Sequence, residues 1–356
     1  MNSTLAKLSL VATAIVTGVS STTAQATASL ITSKDTTLYE SATGALANGG
    51  GVGMFCGRVG FNGGFGIRRT MVQWDIVGSI PAGSQILTAS FDMWVEQSPA
   101  FLPIVTEAHR ITTDWSEGNN VAPGNGGSGG PNGNGESTWI HSNYPSQFWN
   151  TPGGDFAPTS FTFDLPGIGA FATPSNAAFV ADVQDMLDNP SANFGWLLKT
   201  DELLNSTARR INTREAAAFN PKLVITYLAP GTVGTHGVGW PVNGGTFQLN
   251  ISGTANGGDV VPITWTNAPT PSFGVNFFTI GYDPIGTTFL PNSALYLPLA
   301  APKFPGPTIA VAGGTASSTF TVPVGFPGFL IAVQGVALDS TPLNFSMSNA
   351  GLIWTN

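Results

Sequence analysis

Residues 86–97 read Ile86-Leu87-Thr88-Ala89-Ser90-Phe91-Asp92-Met93-Trp94-Val95-Glu96-Gln97. Leu87, Ala89, Phe91, Met93 and Val95 share one parity, and Thr88, Ser90, Asp92 and Glu96 share the other. A period of two sustained this long marks a strand with one face in a core and one in water. The same alternation recurs on both sides of it. Val72, Trp74 and Ile76 interleave with Met71, Gln73 and Asp75; Phe161 and Phe163 with Thr162 and Asp164; Leu223, Ile225 and Tyr227 close the series. Strands separated by Gly/Pro/Asn-rich connections predict an all-β protein, a sandwich or barrel. One helix interrupts them. Thr173 is placed to cap it, Pro174 suits its first turn, and Phe179, Val180, Val183, Met186 and Leu187 recur at helical spacing before Asn189-Pro190 ends it. That stripe predicts a helix packed over the sandwich. The Gly/Asn-rich run 118–136 has almost no apolar side chains to bury and is expected to be a long mobile loop.

The chain has 356 residues, of which only 9% are charged, with 45 Gly, 26 Pro, one Cys and a formal charge of −8. That length suggests two domains. Charge this sparse excludes a coiled coil or a charge-laced bundle, and the acidic balance excludes nucleic acid as the main partner. A single Cys forms no internal disulfide, and no Cys/His set exists for zinc. Residues 27–228 carry 27 of the 32 charged side chains, whereas residues 229–356 carry four: Asp259, Asp283, Lys303 and Asp339. The composition changes at Leu228-Ala229-Pro230-Gly231, which marks a domain boundary. Beyond it, Phe247, Leu249 and Ile251, then Val261, Ile263 and Trp265, then the runs 320–324 and 329–336 predict a second, smaller β-sandwich.

Residues 1–26 read as a secretory leader. Lys7 is their only charge, Leu8 to Val19 form an apolar stretch, and Ala24-Gln25-Ala26 and Ala26-Thr27-Ala28 offer small residues for cleavage. The stretch is shorter than the ~20 residues a spanning helix needs. The expectation is an exported protein with no membrane span after processing.

Several motifs in the first region now fall into order. Arg68 to Asp75, Ile80-Pro81-Ala82-Gly83, His109 to Gly118, Ser137-Thr138-Trp139, Thr151 to Phe156, and Ala208-Arg209-Arg210 through Arg214-Glu215 to Pro221-Lys222-Leu223 follow one pattern. Over residues 30–228 the chain resembles the DNRLRE domain. That resemblance implies a jelly-roll β-sandwich on a secreted bacterial protein, related to carbohydrate-binding modules that include alginate binders. Some of these relatives accompany polysaccharide-degrading enzymes. The region with Gln334, Asp339 and Ser348-Asn349-Ala350 is similar to a domain at the ends of secreted proteins of bacteria such as planctomycetes and myxobacteria.

Three groups of side chains are candidates for function. Arg58, Arg68 and Arg69, with Arg209, Arg210 and Arg214, make two basic patches on an acidic protein. Guanidinium forks hold carboxylates with two hydrogen bonds, as an anionic, alginate-like glycan would require; alternatively they pair with acids to tie the sandwich together. Trp139, His141, Tyr144, Phe148 and Trp149 crowd one polar span. Such rings either stack on sugars or bury themselves to anchor the loop. Asp114, Glu117, Glu136 and Asp155 are the candidate acids. A close pair would hydrolyse a glycoside; the alternatives are loop-fixing acceptors, or a structural Ca²⁺ held by Asp114, Glu117 and Asp155. Gly126-Gly127-Ser128-Gly129-Gly130 matches G-x-S-x-G only formally, because no strand and helix flank it. No catalytic residue and no cofactor beyond that calcium is assigned. The expected function is a secreted, non-catalytic protein that binds extracellular polysaccharide. The rivals are a structural cell-surface or matrix protein and a polysaccharide-cleaving hydrolase or lyase.

Overall fold

The computed structural model describes residues 25–64, 66–242, 244–290, 293–339 and 344–356. The leader assigned to residues 1–26 lies outside them, except that Gln25 and Ala26 already pair with Leu228 and Tyr227 in a strand. The main strands of the first region are β1 (Gln25–Ile31), β2 (Lys34–Tyr39), β3 (Gly53–Arg58), β4 (Ile67–Gln73), β5 (Gln85–Gln97), β6 (Ile104–Ile111), β7 (Phe156–Leu165), β8 (Gly169–Ala172), β9 (Trp196–Lys199), β10 (Arg209–Asn212) and β11 (Lys222–Leu228). All pair antiparallel in one curled sheet. One layer runs β1-β11-β5-β10-β3 with β8 beside β5, and the other runs β4-β9-β6-β7 with β2 beside β4. The layers join at β3, where Cys56 pairs with Arg209 and the next residue, Gly57, pairs with Arg68. Gly57 has φ +119°, and a Cβ there would stand 2.9 Å from the Ala208 backbone. Only glycine takes that corner without strain. The result is a jelly-roll β-sandwich.

Its core is aromatic. Phe91 is fully buried, with ring centroids at 5.1 Å from Trp74, 4.6 Å from Phe179 and 5.4 Å from Trp196. Phe179 belongs to α1 (Ala177–Asp188), which buries Phe179, Val183, Met186 and Leu187 in that core. The helix begins three residues later than the sequence suggests. Asn176 caps it, accepting from Phe179 N at 3.0 Å, while Thr173 Oγ1 accepts from Phe91 N at 2.9 Å.

Trp94, on the outer parity of β5, is half-buried and stacks on Phe219 at 4.4 Å. One expectation fails for an identifiable reason: residues 118–136 are not a free loop. Glu136 is fully buried and accepts from Asn120 N at 2.6 Å and Gly133 N at 2.7 Å, and Gly130–Pro131 pair with Leu46–Ala47. A buried carboxylate and backbone pairing do there what apolar side chains do elsewhere.

The second region forms β12 (Thr232–His236), β13 (Gln248–Ile251), β14 (Val260–Thr266), β15 (Ser272–Ile280), β16 (Phe304–Val311), β17 (Ala316–Thr321), β18 (Leu330–Asp339) and β19 (Asn344–Trp354). A five-stranded sheet, β12-β19-β18-β15-β16, faces a three-stranded one, β13-β14-β17, across Phe247, Leu249, Ile263, Trp265 and Val333. Gln334 is fully buried in a polar staple, donating to Ala294 O at 2.8 Å and Ser348 O at 2.6 Å. The two regions are docked. Thr88 pairs with Thr226 but Ile86 with Tyr227, so Leu87 is the extra residue of a β-bulge. The bulge turns Ile86 into the first core and sends Leu87 to join Leu228, Leu295, Leu297, Leu330 and Met347 between the regions. Tyr282 Oη donates to Leu87 O at 2.8 Å and Trp354 Nε1 to Gly83 O at 2.8 Å. Among the described residues no helix is long and apolar enough to cross a membrane.

Phe91→Ala removes the ring at the centre of this cluster and is expected to cost about 3–5 kcal/mol, read as a lower urea midpoint at unchanged slope.

Candidate functional site

Adjacent residues on a strand point to opposite faces, so Arg68-Arg69 and Arg209-Arg210 each send one guanidinium either way. Both faces are covered. Arg68 is buried over the Tyr39 ring at 4.9 Å, and its Nε donates to Gly127 O at 3.1 Å. Arg69 grips Glu202 with two bonds, at 2.7 and 2.9 Å, gives a third to Gly153 O at 2.7 Å, and lies 4.9 Å from the Trp139 ring. Arg58 Nε donates to Glu202 O at 2.6 Å. Arg209 is buried and donates to Pro166 O, Thr207 O and Leu102 O at 3.2, 2.7 and 2.8 Å. Arg210 is buried and paired with Glu96. Arg214 pairs with Glu117 and, at 3.0 Å, with Glu215. The expected cationic groove is therefore not formed. These arginines are ties across the sandwich, because a guanidinium carried on a doubly covered strand must find its acceptors inside.

The aromatic span divides as well. Trp149 is buried, with Nε1 donating to Thr138 O at 2.9 Å, and Trp139 packs beside it in the same apolar cluster. His141 is buried, 2.9 Å from Thr138 Oγ1, and burial holds its imidazole below the usual range. Trp139 and Tyr144, both half-buried, and Phe148, 61% exposed, keep an outward face, and Tyr144 and Phe148 pack on His141 at 4.9 and 4.4 Å.

Nor do the acids converge as expected. Asp114 is a surface residue 3.4 Å from Lys34 Nζ. Asp155 fixes its loop by accepting from Thr113 Oγ1, Asn150 N and Thr151 N at 3.1, 3.0 and 3.0 Å. Glu117 alone of the proposed calcium ligands belongs to an acidic group, and its companions are Asp35 and Glu215. Cys56 is buried, and desolvation pushes its thiol up to about 12, which leaves no thiolate at neutral pH.

What the structure does open is a cleft of about 440 Å³ where β3, the end of β5 and the Gly-rich run meet the Phe61–Gly63 turn and the residues before β10. Asn62, Gln97, Ser98, Asn125, Ser128 and Ser206 line it with amides and hydroxyls; Phe55 and Pro99 supply apolar surface, and Arg210 is its one charged lining residue. Among the described residues no carboxylate lines it. Asn125 is set by its neighbours, donating to Gln97 Oε1 at 3.3 Å and accepting from Gly127 N at 3.1 Å. Beside Asn62, Phe61 is 81% exposed. Sequence reasoning passed over all of these residues except Arg210 and Ser128. The signal available was the Asn content of the Gly-rich run and of Phe61-Asn62-Gly63, where polar side chains stand on turns. No protein-family model matches the chain, and no curated protein does either.

Glu202→Gln leaves the Arg69 guanidinium buried against a neutral partner. It is expected to destabilise the fold by about 3 kcal/mol while leaving any ligand of the cleft bound as before, since neither residue lines it.

Proposed function

We propose that this protein is a secreted, non-catalytic binder of extracellular polysaccharide and that the cleft beside Asn125 is where the sugar sits. The observation that carries this reading is the lining: neutral amides and hydroxyls, with no carboxylate. Sugar hydroxyls donate and accept at once, and so do Asn, Gln and Ser side chains. Apolar C–H faces of a sugar ring match the neighbouring aromatic surface, and the volume falls in the ordinary range for small-ligand sites. Glycoside hydrolysis needs two acids flanking the bond, and this lining offers neither. An anionic glycan would meet one guanidinium here, Arg210, rather than a cluster of six.

Native affinity gels cast with a neutral glucan, alginate or pectate test the proposal. Retardation by at least one is expected, with Gln97→Ala plus Asn125→Ala weakening it at least tenfold at unchanged Tm and Phe148→Ala leaving it intact. If no polysaccharide retards the protein, the binding reading fails and a structural surface protein takes its place. New reducing ends or unsaturated products after incubation with the glycans would overturn the non-catalytic half.

A further inference from the structure

Asp35 at the start of β2, Glu117 in the loop after β6 and Glu215 in the turn after β10 are remote in sequence. One carboxylate oxygen of each lies within 4.8 Å of the others. Asp35 is 0% exposed. Its Oδ2 accepts from Thr32 Oγ1 at 2.7 Å and Arg214 N at 3.0 Å, while its Oδ1 has no hydrogen-bond partner. Glu215 Oε2 is likewise buried without a partner. Glu117 accepts from Asp35 N at 2.7 Å and from Arg214 through both oxygens, with Oε2 taking a single hydrogen bond.

The charges facing one another are three carboxylates and one guanidinium. Arg214 pairs with Glu117 and, through Nε at 3.0 Å, with Glu215, so one positive charge stands against three carboxylates and leaves an excess of two negative charges, with Asp35 Oδ1 and Glu215 Oε2 as spare buried oxygens. Like charges this close and this dry repel strongly. One doubly charged ion would balance both charges and both oxygens.

We propose that Asp35, Glu117 and Glu215 form a binding site for a hard divalent cation of the calcium class. Such ions take oxygen ligands in flexible number, with water or backbone carbonyls completing the shell. The site replaces the Asp114, Glu117 and Asp155 set expected from sequence and keeps only Glu117. Its role is to clamp: β2, the Glu117 loop and the turn after β10 are held by one ion, and stability rises with ion concentration by mass action.

The test is calorimetric titration of the full-length, chelator-treated protein with CaCl₂ and, separately, MgCl₂, at pH 8, with Tm followed in parallel. Uptake of one equivalent of either ion and a raised Tm are expected. Glu215→Gln should weaken uptake by at least about 10-fold, the lower end for losing even an outer partner of a metal ligand. Asp35→Asn should do the same, and Asp114→Asn should leave uptake unchanged. If Asp35→Asn fails to fold, Glu215→Gln decides. No uptake of either ion at millimolar concentration overturns the site, and so does uptake that Glu215→Gln leaves unaltered.

Discussion

A guanidinium on a strand whose two faces are both covered has to be satisfied from within, and much of this structure follows from that constraint. β4 and β10 each carry two consecutive arginines, so no orientation of either strand can present both to water. The acceptors are supplied by segments that would otherwise have no reason to be where they are. Glu202 and Gly153 O close on Arg69, Gly127 O meets Arg68, and Pro166 O and Leu102 O meet Arg209. Loops far apart in sequence are thereby drawn onto the sandwich by hydrogen bonds to charge, which are stronger than neutral ones.

That use of charge shapes the surface left for recognition. A chain with 9% charged residues that buries Arg68, Arg209 and Arg210 leaves few cations on its exterior. The cleft between β3, β5 and the Gly-rich run is lined accordingly, by amides and hydroxyls on short turns. Its position depends on the buried carboxylate of Glu136, which pins the Gly-rich run and so carries Asn125 and Ser128 to the edge of the sheet.

The acidic group around Asp35 follows the same logic with the sign reversed. It lies where β2, the Glu117 loop and the turn after β10 meet, and its one guanidinium, shared between Glu117 and Glu215, offsets one of three negative charges. At the other end of the sandwich the second region is joined by apolar contact. The bulge at Leu87 is decisive there, because one extra residue turns that side chain from the first core to the shared cluster.

The amino-acid pattern by itself determined that the protein is all-β and, for strands such as β5, β7, β11 and β14, which parity is buried, since period-two alternation and burial are both local properties of a strand. Phe91, Phe163, Ile225 and Trp265 were legible as core for that reason, and so was the helix from Phe179 to Leu187. Only the tertiary structure decided the fate of the polar side chains. Whether Arg69 faces a ligand or Glu202, 133 residues away, is settled by which loop folds over it. The grouping of Asp35 with Glu117 and Glu215, the packing of Trp139 and Trp149 in one apolar cluster, and the opening of an amide- and hydroxyl-lined cleft beside Asn125 all depend on contacts between distant segments. Alternation reports that a residue is covered; it carries no information about what covers it.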